Sequence, residues 1–421
     1  MNKYIFTKAQ NEEELQQLVR LYNQVFHPEK VGELADVLTH HLPYMDYQNW
    51  YISKEKTTNE IVSGFALIPW QWNIQGIDLK VAEMGIVGTK ELHRGKGLFK
   101  QTNQIFNDDL ISNKYDLCVI QGIPGIYHRL GYHYALALEH HTELPLYAIP
   151  DSPLPLNIRK VNEGDIPFMI KEEEQQGNQL DIRVQRTQEH WHYLLHKSKE
   201  TEYGSEFYLI QSAEKYYYIR LLVTGFGQGL IVSEASSEMP IMVLEQVLSF
   251  LKEEANKRNK PYIRLNLPNS HCIVTHALNY EARLKPAYAW QIKIIDNKRF
   301  IGKLRSLFEK RIKSSKFIDM TANIMLDFYT SQIILSLKNG KIQSITSEPL
   351  ESTDYVMSIP DDLFAALALG HRSWCELQYN RPDIFPADQY LRTCSTQPAE
   401  VTGELMDILF PKLNNWIYCQ Y

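Results

Sequence analysis

Residues Val81 to Tyr132 read VAEMGIVGTKELHRGKGLFKQTNQIFNDDLISNKYDLCVIQGIPGIYHRLGY, and the reading of this stretch decides the fold. Met84 to Thr89 is a short run of apolar and small residues, the composition of a strand. Arg94-Gly95-Lys96-Gly97 follows, after which Leu98, Phe99, Ile105, Phe106 and Leu110 recur near helical spacing. A glycine-rich turn entering a helix leaves the first-turn N–H groups unpaired and aimed at one point, at the positive end of the helix. With Arg94 and Lys96 beside it, that point suits a pyrophosphate. Asp116 to Ile120 reads as a second strand, and Gly122 to Tyr132 carries Tyr127 in its middle. The turn is neither a Walker pattern nor GxGxxG. Taken alone, it also reads as a solvated basic turn with a helix behind it.

The two motifs together are more specific than either. Arg94–Gly97 after one strand, with Ile126-Tyr127-His128-Arg129-Leu130-Gly131-Tyr132 after the next, resembles the acetyl-coenzyme A core of the GNAT superfamily of N-acetyltransferases. In that family the turn is Arg or Gln, two residues, Gly, one residue, then Gly or Ala. Phe99 stands in the last place here, a departure similar to that of the Eis-like (enhanced intracellular survival) branch. The resemblance implies acetyl-CoA as co-substrate. It implies that the backbone of Ile86, Val87 and Gly88 pairs with the pantetheine arm. Arg94, Gly95, Lys96, Gly97 and Leu98 would cradle the pyrophosphate, and Tyr127 would point at the thioester sulfur.

Length and composition set the frame. A chain of 421 residues suggests two or three domains, and 44% apolar with 22% charged residues suffices for substantial cores. A formal charge of -6 gives no general attraction to nucleic acid or anionic lipid. Cys118, Cys272, Cys375, Cys394 and Cys419 are scattered, odd in number and without CxxC, so neither a disulfide frame nor a structural zinc is expected. The adjacent pairs His40-His41 and His140-His141 have diverging side chains and no obvious carboxylate set, so no metal is expected. No apolar run approaches 18 residues and no signal segment is visible, which predicts a cytoplasmic protein without a membrane span.

The order of elements predicts an α/β and α+β chain. A strand at 3–7 precedes helices at Asn11–Phe26 and Val31–Leu38, then strands at Ile61–Ile68 and Ile77–Thr89. The first unit, 1–150, is expected to close with strands near Tyr134–Glu139 and Thr142–Ala148. Asp151-Ser-Pro-Leu-Pro155 marks a boundary. Residues 151–295 repeat the order loosely but lack the glycine-arginine turn, since Glu234–Pro240 is acidic. They are similar to a degenerate second GNAT-like domain. Residues 296–421 begin with a basic helix at Phe300–Ile312 and contain an Asn339-Gly340 hairpin turn. They then enter an Ala/Leu helix at Asp361–Leu369, and this order resembles a sterol-carrier-like domain. Two tandem mixed-sheet GNAT-like domains and a sterol-carrier-like domain are similar to the Eis-like layout.

Direct acyl transfer needs a base for the amine, an acid for the departing thiolate and no enzyme nucleophile. Tyr127 matches the family's acid, and the bland alternative is a packed aromatic. Two bases stay open. Glu83 lies at the place of the family's basic glutamate, on the strand entering the turn, and burial would raise its pKa. The carboxylate of Tyr421 is the rival, because Eis-like enzymes bring their terminal carboxylate to the acceptor site. Asp46 is a third group that could hold an ammonium. The acceptor is a primary amine of a small molecule or an exposed lysine, and the resemblance implies a homo-oligomer. The alternative is an acyl-CoA or lipid binding protein without transfer activity.

Overall fold

The computed structural model describes residues 3–139, 141–151, 157–177, 179–225, 227–386, 397, 399–418 and 421. The expected boundary at Asp151–Pro155 lies almost entirely outside the described residues, as do His140, Cys394 and Cys419. The chain is a mixed α/β fold built on three sheets. Among the described residues no helix is long and apolar enough to cross a membrane.

The first sheet contains β1 (Tyr4–Lys8), β2 (Trp50–Glu55), β3 (Ile61–Ile74), β4 (Ile77–Thr89), β5 (Leu117–Ile120) and β6 (His133–Leu138). The helices on it are α1 (Glu12–Val25), α2 (Val31–His41) and α3 (Leu98–Ser112). Asn11 starts α1 by accepting from the Glu14 N–H at 3.1 Å, and Glu12, Glu13 and Glu14 sit at the positive end of the helix. Leu15, Leu18, Leu21 and Tyr22 form its buried stripe against β3 and β4. β3 and β4 make a long hairpin through Gln75 (φ +48°) and Gly76 (φ +92°), the positive-φ pair that a two-residue turn requires.

One expectation is corrected here. The strand within Thr142–Ala148 does not close the first sheet. β7 (Thr142–Pro145) pairs instead with Tyr262–Leu265 and Arg283–Leu284 of the second sheet. The place between β5 and β6 is filled by Tyr288–Ile294, antiparallel to both. The two halves therefore exchange a strand. Both segments are short, so pattern alone does not say which sheet each completes; long-range pairing decides it.

The second sheet runs Arg283–Leu284, β7, Tyr262–Leu265, Leu230–Ala235, Lys215–Leu222, Ser205–Ser212, Asn157–Lys160. Its long helix, Ile241–Lys257, begins at Pro240 with no glycine turn. The third sheet has Ala322–Asp327 at its centre, with Asn339 (φ +51°) and Gly340 (φ +70°) forming the expected hairpin turn. The basic helix expected over Phe300–Ile312 is two helices, Asn297–Lys303 and Arg305–Lys313. They meet at Leu304, which leaves helical geometry (φ -82°, ψ 2°) and is buried in the core. After the helix Ala399–Leu409 the chain turns back along the second unit, where the Asp181 N–H donates to Asn414 O and the Trp416 N–H to Ile182 O. That return carries Trp416, Ile417, Tyr418 and Tyr421 into the cleft between the first two sheets.

Candidate active site

β4 is bent at the site. Gly85 pairs with Ala66 and Gly88 with Gly64, so Phe65 alone faces Ile86 and Val87, a β-bulge. Ile86 takes φ +52°, a conformation that costs a branched side chain about 1–3 kcal/mol and that the surrounding pairing must hold. On the other side, β4 and β5 pair in parallel only through Val81↔Leu117, Ala82↔Cys118 and Glu83↔Val119. Beyond Glu83 the two strands part, and the backbone of residues 84–88 faces the gap without a ladder partner among the described residues. An extended pantetheine arm, with its two amides, fits such an edge as an added strand does. Gly88 has a further reason to be small: a Cβ there would lie 3.0 Å from the Tyr22 ring on α1.

The glycine turn expected to cradle a pyrophosphate lies where β4 ends. Gly95 (φ +71°) and Gly97 (φ +73°) are both left-handed, and Gly97 precedes α3 with no side-chain cap. The first amides of this 15-residue helix are thus open to an anion. Arg94 and Lys96 are exposed and tie down the turn itself, Arg94 Nε donating to Thr89 O at 3.2 Å and Lys96 Nζ to Leu92 O at 2.6 Å. Phe99 packs edge-on against Phe65 and Tyr127, so the bulky residue in the family's small position is part of the packing beneath the site.

Glu83 is 2% exposed. Its Oε2 accepts from Trp70 Nε1 at 2.9 Å, and its Oε1 accepts from the Tyr421 hydroxyl at 2.8 Å and from Gln121 Nε2 at 3.2 Å. Burial pushes the carboxyl up to about 7, with the three hydrogen bonds pulling the other way. The Trp70 ring is stacked between Tyr421 and His190, and Tyr203 stands edge-on to Tyr421 at 4.8 Å. The main-chain oxygen of Tyr421 accepts from Arg220 at 3.3 Å.

Tyr127 opens a short 3-10 turn, Tyr127–Leu130, beyond β5. It is 7% exposed, burial pushes its hydroxyl up to about 12, and no hydrogen bond to that hydroxyl is formed among the described residues. The Cδ2–Cε2 edge of its ring lies against Gly122, where a Cβ would come within 2.3 Å of it. The Gly122 carbonyl in turn accepts from Tyr288 at 2.6 Å and from Gln291 at 2.8 Å, both on the exchanged strand.

One cavity of about 820 Å³ joins these groups, lined by Glu83, Gly85, Ile86, Val87, Gln121, Gly122, Tyr127 and Tyr421. Its far wall comes from α2, the 200–203 turn and the returning tail. Glu29, Glu33, Glu139, Glu200 and Glu202 add carboxylates, against Lys30 and Arg264. Burial and the nearby Glu29 charge push the Glu202 carboxyl up. Asp46 does not line this cavity: it is exposed and caps the Tyr47–Asn49 turn by accepting from the Gln48 N–H. The absence of a carboxylate set near His40 is also corrected. Glu12, Asp36 and His40 lie with ligand atoms within 4.8 Å of one another on the surface, joined by the α1–α2 packing.

The sequence assigns no role to Trp70, Gln121, Gly122 or Arg220. Trp70 was within its reach: a two-residue turn at Gln75-Gly76 pairs Ile68 with Glu83, which places Trp70 diagonally beside the carboxylate on the same face. Gln121 and Gly122 could be suspected only as the residues between β5 and Tyr127. Arg220 carries no local signal.

Comparison with known proteins agrees with this geometry. Residues 7–135 match the model of the acetyltransferase (GNAT) domain. No curated protein matches the sequence. A solved Enterococcus faecalis protein, described as a probable N-acyltransferase, is similar over 100% of both chains, with TM-score 0.68 and 15% identity. A GCN5-related N-acetyltransferase from Anabaena variabilis is similar over 98% of this chain and 99% of its own, with TM-score 0.66 and 16% identity. Eis1 from Mycobacterium abscessus is similar over 99% and 100%, with TM-score 0.61 and 11% identity. The whole chain thus shares its fold with these proteins, and residues 7–135 match the GNAT domain, for which the implied co-substrate is an acyl-coenzyme A.

Proposed function

We propose that the protein is an acetyl-coenzyme A-dependent N-acetyltransferase acting on a primary amine, of a small molecule or an exposed lysine, by direct transfer. The observation that carries this reading is one cavity holding a carboxyl poised near neutrality, Glu83, and a tyrosine hydroxyl free to donate, Tyr127, at the open edge of β4. Residues 1–150 act as the donor domain and residues 151–295 as a degenerate GNAT-like wall. Residues 296–421 act as a sterol-carrier-like unit whose tail delivers Tyr421.

An amine arrives as ammonium, with a reference pKa near 10.4, and cannot attack until it loses a proton. The acidic lining favours a cationic acceptor, and the low-dielectric wall strengthens each carboxylate's pull. Glu83, ionised above about pH 7, takes the proton. The nitrogen lone pair forms the C–N bond at the thioester carbonyl, and collapse of the tetrahedral species breaks the C–S bond. The sulfur leaves as thiolate and takes the Tyr127 proton, and the second proton shed by the acylated nitrogen restores the Tyr127 hydroxyl. Burial that holds this hydroxyl near 12 keeps it protonated until the thiolate forms. The Tyr421 carboxylate is the second reading for the base. Its main-chain oxygen is engaged by Arg220, so that role has to compete with a cation.

Titration calorimetry with acetyl-coenzyme A, followed by an amine panel read by thiol release, tests the proposal. Binding plus amine-dependent release that falls by about a hundredfold in Tyr127→Phe supports it. Binding of coenzyme A without release by any primary amine refutes it in favour of a binding protein.

A further inference from the structure

The second unit has no phosphate turn, yet it buries a set of charges that points at the acceptor side of the cavity. Arg220, on strand Lys215–Leu222, is fully buried. Its Nε donates to Ser205 Oγ at 2.8 Å, one terminal nitrogen lies 3.6 Å from Glu234, and its guanidinium covers the Phe207 ring. Glu234 is itself clamped by Arg186 at 2.8 and 3.0 Å and by the Tyr218 hydroxyl at 2.8 Å. Burying a guanidinium is expensive unless its partners are fixed, so such a group has few accessible positions. Its remaining nitrogen donates to the main-chain oxygen of Tyr421, the residue whose hydroxyl meets Glu83 from the other end.

We propose that Arg220 is a positioning residue for acyl transfer: by holding the Tyr421 main chain it sets the Tyr421 hydroxyl against Glu83, so the second unit tunes the base it does not contain. The inference rests on the reading of Glu83 as base. Trp70 from β3, Gln121 beyond β5 and Tyr421 from the tail hydrogen-bond to Glu83, and the titratable groups near it are Tyr421 and the buried Cys118 thiol on β5, which feels the Glu83 charge. Ser205, Phe207, Glu234 and Tyr421 are among the groups that face Arg220. The hydrogen bond from Tyr421 favours the ionised carboxylate. Losing it moves the acidic limb of kcat/KM upward, by about one pH unit for a bond to a charged group.

The test is a cycle of Arg220→Lys and Tyr421→Phe in the full chain, with Ser205→Ala as a milder way to loosen the same guanidinium. Tyr421→Phe and Arg220→Lys should each raise the limb. In the Tyr421→Phe background Arg220→Lys should raise it no further, because the hydroxyl it positions is gone. Additive shifts, or no shift in Arg220→Lys and Ser205→Ala, overturn the proposal. Hydrogen exchange of the segment 411–421 is read alongside and does not depend on turnover. Faster exchange there in Arg220→Lys, with the segments on β4 and α3 unchanged, supports the anchor, and unchanged exchange at 411–421 sinks it. A wild-type protein without amine-dependent thiol release fails the activity reading, and the exchange result still decides whether Arg220 anchors Tyr421.

Discussion

Replacing Glu83 with Gln tests base and burial together. The carboxyl ordinarily ionises at 4.5 and is pushed up to about 7 in the folded chain. The folded protein therefore keeps a proton that the unfolded chain loses between those values, and stability falls as pH rises through that window. Each pH unit between the two values is worth about 1.4 kcal/mol, so ionising Glu83 costs the fold about 3 kcal/mol above pH 7. Gln has no charge to bury. Its oxygen can accept from Trp70, and its amide can donate to the Tyr421 hydroxyl, which can accept, so the hydrogen bonds are largely kept. Urea unfolding at pH 5 and pH 8 should show the variant gaining on wild type by up to about 3 kcal/mol at the higher pH, less about 1 kcal/mol for imperfect hydrogen bonding at both. Glu173, also raised to about 7, is present in both proteins and cancels in the difference. The same variant should lose about 10²–10⁴-fold in kcat/KM and lose the limb near pH 7. Parallel stability curves would refute the buried, proton-holding carboxyl. Wild-type activity with an intact limb would move the base elsewhere, to Tyr421 first.

Other perturbations address the donor side and the fold. Gly97→Glu puts a side chain on a φ of +73° and a negative charge at the open amides of α3, so calorimetric binding of coenzyme A should be abolished while far-ultraviolet circular dichroism stays native. Gly122→Ala drives a Cβ to within 2.3 Å of the Tyr127 ring; kcat should fall at least tenfold with the donor's dissociation constant little changed, and equal kcat would show that Tyr127 is not the acid. Residues 1–150 expressed alone lack the strand that separates β5 from β6 and leave β7 unpaired, so they should be unfolded or aggregated by size-exclusion chromatography and near-ultraviolet dichroism.

What could be read without coordinates was local. The left-handed glycines of Arg94–Gly97, the helix they open, the Asn339-Gly340 turn and the place of Tyr127 beyond β5 depend on residues a few positions apart, and the chain writes them directly. Glu83 could be nominated from its place on β4, but its burial depends on Trp70 of the neighbouring strand, on Gln121, and on Tyr421 from the returning tail. The exchange of β7 for Tyr288–Ile294 was not legible, because two short strands carry no label for the sheet they complete. Arg220 was equally silent: a lone arginine between tyrosines and leucines becomes an anchor only when Glu234 and the returning tail meet it. Periodicity and turn chemistry act over one or two helical turns, so the sequence by itself determined the glycine turn, its helix and the place of Tyr127, the parts proposed to hold the donor. The acceptor half is assembled from two sheets, α2 and a tail more than two hundred residues away, and only tertiary packing brings those charges and rings to one wall.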